Sequence, residues 1–144
     1  MAQIRNAAKA LIIRGGYLLA IRMRDAQGEF LILPGGGQEP GETLAEAVAR
    51  ETREEISAEV VVRELRYVRE YLREAPHRVE FIFACTLTPG ATIGTGALPD
   101  AGQLGPAWVP LAELPARRFY PLGLRATLAR HGEPDGPVYL GDLA

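Results

Sequence analysis

At 144 residues, 47% hydrophobic and 24% charged, the chain has the size of one domain, residues 1–144, around a single core. A net charge of −2 and a pI near 5.7 provide no basic field for gripping a nucleic-acid backbone, which argues against a long polymer as partner. A single cysteine, Cys85, excludes an internal disulfide, and without a visible leader or an apolar run of about 18 residues the expected location is cytoplasmic, away from membranes.

In chain order, Ala7 to Ile13 and Tyr17 to Met23 are aliphatic runs flanking Gly15-Gly16, which predicts neighbouring antiparallel strands. Asp25 to Glu29 reads as a turn and Phe30 to Leu33 as a short strand stopped by Pro34. Gly35 to Gly37 reads as a glycine turn that lets the backbone approach a ligand closely. Thr43 is a good N-cap, and Glu46 three residues on completes a capping box, so a helix is predicted to about Ile56 or Ser57.

That helix is loaded with carboxylates: seven of the chain's fourteen glutamates lie between Glu39 and Glu59. At about 100° per residue, Leu44, Ala47, Val48 and Thr52 form the core-facing stripe. Glu51 and Glu55 fall inside it and Glu54 on its flank, while Glu46, Ala49, Arg50 and Arg53 look outward. Arg50 is then in reach of Glu46 and Glu54. A solvated helix with i,i+4 pairs, each worth about 0.2–0.5 kcal/mol, accounts for Glu46, Arg50 and Arg53. It does not account for Glu51 and Glu55, because clustered carboxylates near a core repel one another and lose hydration. A hard divalent cation with oxygen ligands resolves the conflict, and Mg²⁺, which shares its shell between carboxylates, water and substrate phosphates, fits best, with Mn²⁺ as a substitute.

Beyond the helix, Glu59 to Arg63, Leu65 to Leu72 and Val79 to Leu87 read as strands. In the last of these, Cys85 reads as a small buried hydrophobe. Glu80 shares a strand face with apolar neighbours, either as an edge residue facing solvent or as a further carboxylate for the cation. Pro89 to Pro106 lacks periodicity, and a loop that long is a candidate mobile segment. Ala107 to Pro110 predicts a short strand, Leu111 to Leu114 a helical turn and Pro121 to His131 a terminal helix; His77 and His131 read as surface or turn residues. The fold class expected from this order is α/β: a mixed β-sheet between helices in an α/β/α sandwich.

Gly36, Glu42, Arg50, Glu51, Glu54 and Glu55 stand in the order and spacing of the Nudix box, G-x5-E-x7-R-E-U-x-E-E-x-G-U with U aliphatic, and over residues 36–58 the chain resembles the Nudix hydrolase family. It departs from that pattern at Thr52, Ser57 and Ala58. The resemblance implies a Nudix-like α/β/α sandwich that hydrolyses the pyrophosphate bond of a nucleoside diphosphate linked to another moiety. It implies a cation held by Glu51, Glu54, Glu55 and the Gly36 backbone carbonyl, with Glu80 or Asp100 as a further donor. Glu51 or a nearby carboxylate would take the proton, Arg50 would hold the glutamates, and Glu42 would brace the loop. Tyr67, Tyr71, Phe119 and Tyr120 are the aromatic candidates for base recognition. The partner expected is a small nucleotide-type substrate, with a homodimer as the candidate assembly. The alternative is a Nudix-fold nucleotide-binding regulatory module that does not hydrolyse its ligand.

Overall fold

A computed structural model describes residues 3–94, 102–130 and 136–144. The strands are β1 (Ile4–Leu11), β2 (Ile13–Arg14), β3 (Tyr17–Asp25), β4 (Gly28–Ile32), β5 (Gly35–Gly37), β6 (Val60–Tyr71), β7 (His77–Leu87), β8 (Gln103–Pro110), β9 (Phe119–Tyr120) and β10 (Tyr139–Asp142). Helix α1 (Leu44–Ile56) follows β5, and α2 (Arg125–Ala129) follows β9, with 3₁₀ stretches at Leu111–Ala116 and Leu122–Leu124.

The strands form two sheets, one in the mixed order β10-β6-β7-β1-β5 and one in the order β2-β3-β4-β9 with β8 added on β3. Alternation along each strand divides the interior in two. Ala8 and Ala10 of β1, Cys85 of β7, and Leu19 and Ile21 of β3 pack with Ala47, Val48 and Ile56 of α1. Leu11, Tyr67 and Ile82, from the opposite face of the first sheet, pack with Leu18, Ala20 and Leu31 of the second and with Leu128 of α2. The second sheet is therefore buried on both faces, and the arrangement is the α/β layering that the Nudix resemblance implies, with two sheets where the element order predicted a single mixed one.

Several local expectations are corrected. Only Ile13 and Arg14 form the hairpin with β3 across Gly15-Gly16, because the chain changes sheets at Ile12. The preceding β1 pairs with β7 and β5 instead. Gly35 to Gly37 is an edge strand, antiparallel to β1, rather than a free turn. The two strands expected after the helix are one, β6, with bulges between Val62 and Tyr67. The terminal helix is split, a 3₁₀ turn followed by the five-residue α2. Asp100 and His131 lie outside the described residues.

Helix α1 begins as its sequence dictates. Thr43 Oγ1 accepts from Glu46 N–H at 3.1 Å and Glu46 Oε1 accepts from Thr43 N–H at 2.9 Å, closing the capping box. It ends at Ser57 with φ 56° and ψ 34°, the left-handed region that glycine enters most easily. Ser57→Gly is accordingly expected to stabilise the fold by up to about 1 kcal/mol in chemical denaturation; a clear loss would mean that the serine side chain holds this helix end. Thr52 is fully buried among apolar neighbours, and its Oγ1 has no hydrogen-bond partner among the described residues. Thr52→Val, which keeps the shape and removes the stranded hydroxyl, is expected to gain about 1 kcal/mol by the same measurement.

Candidate active site

The site is built where α1 lies against the edge strand β5. Ladder bonds from Ala10 N–H to the Pro34 carbonyl (2.8 Å) and from Gln38 N–H to the Asn6 carbonyl (3.0 Å) bracket the Ala8↔Gly36 pair. Alternation in an antiparallel ladder then turns the N–H and C=O of Gly36 toward β1, and those of Gly35 and Gly37 outward from the sheet edge. Two side chains of α1 reach that outward edge. Glu55 Oε1 accepts from Gly35 N–H at 2.9 Å, and Arg50 Nη2 donates to the Gly37 carbonyl at 3.2 Å. The expectation that the Gly36 carbonyl faces a ligand is thus corrected by strand parity: the outward carbonyl beside Glu55 belongs to Gly35.

Gly36 has another role. A Cβ at this position would stand 2.6–2.9 Å from the Glu51 carboxyl group, so this carboxylate sits directly over the Gly36 backbone, in space that only glycine leaves free. Glu55 is buried, 8% exposed, and its Oε2 accepts from Gln103 Nε2 at 3.1 Å. Gln103, at the start of β8, carried no signal in the sequence. Glu54 is half exposed on the flank of the helix.

Arg50 binds this group together. Placed on the outward side by a helical wheel, it instead folds over the loop. Its Nε and Nη2 donate to the two Glu42 carboxyl oxygens at 3.1 and 2.7 Å, and its Nη1 donates to Glu51 at 3.0 Å and lies 3.7 Å from Glu54. Glu42 also accepts from Glu39 N–H at 2.8 Å, tying the loop to the helix. The hydrogen bonds from Arg50 hold the Glu42 carboxyl below the ordinary glutamate range, and Glu42 in turn raises the guanidinium further above its usual value.

Glu51, Glu54 and Glu55 share one helix flank, with the Gly35 carbonyl beside them: an oxygen-only donor set of the kind hard divalent cations take. Among the described residues no three acidic, histidine or cysteine side chains converge on one point, because Glu51 is drawn to Arg50 and Glu55 to Gly35 and Gln103. Glu80 does not join them. It belongs to the face of the first sheet opposite α1, paired with Arg69 at 2.8 Å, while Arg69 Nη1 donates to the Leu143 carbonyl at 2.6 Å.

Other candidates are placed as follows. Tyr67 and Phe119 are core residues. Tyr71 lies under the guanidinium groups of Arg69 and Arg73, and Tyr120 packs edge-on against Phe30, 5.6 Å between ring centres, beneath Arg118. His77 is bonded to Glu70 at 2.7 Å. Cys85 is buried, and its thiol is pushed up to about 12 by desolvation, the opposite of a reactive thiolate. No described helix is long and apolar enough to cross a membrane.

Two sheets closed by a helix whose glutamates meet a glycine edge strand define a Nudix-type α/β domain. The chain belongs to the NUDIX domain family, which matches residues 3–130. It is 37% identical over 92 residues to a human protein named 8-oxo-dGDP phosphatase NUDT18, covering 64% of this chain and 27% of that one. It is 41% identical over 64 residues to nucleoside triphosphatase NudI of Salmonella agona strain SL483, covering 42% and 45%. The chain thus aligns with less than half the length of either relative. Among solved structures, a NUDIX hydrolase from Nitrosomonas europaea has the same fold with a TM-score of 0.76 at 20% identity, covering 94% of both chains.

Proposed function

We propose that this chain, as one Nudix domain over residues 1–144, is a Mg²⁺-dependent cytoplasmic hydrolase that cleaves the pyrophosphate bond of a small nucleoside diphosphate derivative. The observation that carries this reading is the seating of the Glu51 carboxylate over Gly36, next to a buried Glu55 bonded to the outward edge of β5. Glu51, Glu54, Glu55 and the Gly35 carbonyl are the groups that would hold the cation. A bound divalent ion there supplies neutralisation of the diphosphate charge and a lowered pKa for the attacking water. Glu51 takes the proton: it is partly exposed, and Arg50 fixes its orientation without burying it. Glu42 and Arg50 keep loop and helix in register, so that the carboxylates are positioned before substrate arrives. The names of the human and Salmonella relatives make nucleoside di- and triphosphates the first substrates to test, followed by nucleotide sugars, ADP-ribose, NADH and dinucleoside polyphosphates.

Separation and quantification of the two phosphate-bearing products formed from each member of that panel, with and without Mg²⁺ or Mn²⁺, tests the proposal, with Glu54→Gln as the site variant. Glu54→Gln keeps volume and removes one charge from a crowded flank, so it is expected to retain the fold and lose hydrolysis by roughly two orders of magnitude or more. Arg53→Gln, which loses only an exposed pair with Glu59 at 3.5 Å, is expected to change neither. Tight nucleotide binding without turnover on any panel member would replace this reading with that of a binding module.

A further inference from the structure

The chain has sixteen lysine and arginine side chains, all among the described residues. Every one except Arg5 and Lys9 has an ionic, hydrogen-bonding or aromatic partner among the described residues. These two stand on the same strand, β1, and on the same face of it. Alternation places Arg5, Ala7 and Lys9 with Leu11, opposite the Ala8 and Ala10 that pack beneath α1.

Both address the glycine strand. Lys9 pairs in register with Gly35, and a Cβ there would meet its Cδ at 2.9 Å, so the lysine stem lies across Gly35. Arg5 reaches along the sheet until its Nη2 is 4.0 Å from where a Gly37 Cβ would stand. Gly35 and Gly37 are two strand residues apart, roughly 7 Å. The carboxylate of Glu51 covers Gly36 from the other face. The edge of the first sheet therefore carries anionic groups on the α1 side and, on the other, two cations without a partner among the described residues, the Glu80 carboxylate beside Ala7 on that face being taken by Arg69. Beside Arg5 opens a polar groove of about 440 Å³, lined also by Asn6, Gln38, Glu39 and Glu42, which is contiguous with the Arg50 network.

Lys9 is half-buried. With no ion pair of its own among the described residues, its ammonium is available for a charge-assisted bond to an arriving anion. The two cations stand too far apart for neighbouring phosphoryl groups and suit the two ends of a short phosphate chain, and the arginine fork is suited to a phosphate oxygen pair. We propose that Arg5 and Lys9 bind the phosphate chain of the substrate on the far face of β5, so that the chain crosses the glycine edge with its scissile bond at the α1 carboxylates. This rests on the hydrolase reading above for the scissile bond, but the anion site itself is measurable without turnover.

The test is isothermal titration of the whole protein with tripolyphosphate in EDTA, together with steady-state kinetics on the best substrate of the panel. It compares wild type, Arg5→Gln, Lys9→Gln and the double variant, with Lys9→Arg to restore charge. Wild type is expected to bind tripolyphosphate without metal. Each Gln substitution should weaken that binding at least tenfold and raise KM at least tenfold, with kcat within threefold and the melting temperature unchanged or higher. Lys9→Arg should recover most of the loss. No binding in EDTA by wild type, or affinity and KM within twofold in the double variant, overturns the inference. Binding that depends on Arg5 and Lys9 in a protein that hydrolyses nothing leaves the anion site standing and removes the hydrolase reading.

Discussion

Gly36→Ala is expected to abolish most hydrolysis, lowering kcat/KM by about a hundredfold or more, while leaving a folded protein. The added methyl group would occupy space 2.6–2.9 Å from the Glu51 carboxyl atoms. What must move is the far end of a flexible side chain, so the backbone of β5 and its pairing with Ala8 are retained. The cost falls on the placement of the carboxylate, and a displacement of about 1 Å in a catalytic group is enough for a loss of that size. Gly35→Ala is the contrast. Its Cβ would come 2.2 Å from the Ala8 carbonyl, at a φ of +136°, so backbone rather than side chain would have to give. That variant should lose folding as well as activity. Circular dichroism and kcat/KM on the same samples separate the two cases. Near-full turnover in a folded Gly36→Ala protein would remove Glu51 from the proposed chemistry.

The difference between these neighbouring glycines marks where the sequence stops being informative. Helix α1 was legible because its signals are local: Thr43 and Glu46 cap it, and the 3.6-residue period separates Ala47 and Val48 from Arg53. The strand nature of Gly35 to Gly37 was not, since three glycines carry no alternation and owe their conformation to β1. Which glycine carbonyl points outward depends on the parity of that pairing, a tertiary fact. The wheel put Arg50 on the outward side correctly for its Cα–Cβ direction, but a long side chain is not confined to that direction. It turned back across eight residues of chain to Glu42. Glu80 was legible as an acid among apolar strand residues, but the choice between solvent, cation and Arg69 depends on which face of the sheet α1 covers. Gln103 lies 48 residues from its partner Glu55, and nothing near it in sequence announces the contact.

Arg50→Gln is expected to damage stability and activity together, which distinguishes it from Glu54→Gln. The guanidinium makes two hydrogen bonds to Glu42, one to Glu51 and one to the Gly37 carbonyl, and glutamine can replace at most one of them. Its removal strands partly buried carboxylates that then repel one another, so a fall in melting temperature of roughly 5 °C or more is expected at neutral pH. The pH dependence follows from Glu42, whose carboxyl is held below its ordinary range by Arg50. Stabilisation from such a group is present above the unfolded glutamate value of about 4.3 and is lost as the pH falls through the lower folded value. The gap in melting temperature between wild type and Arg50→Gln should therefore narrow as the buffer is taken from pH 7 into the acid range. A gap that stays constant down to that range would mean that Arg50 stabilises the fold through packing and the Gly37 carbonyl rather than through its carboxylate partners. In metal-free buffer at pH 7 the variant should still lose stability, because the two carboxylates it strands are present with or without a cation.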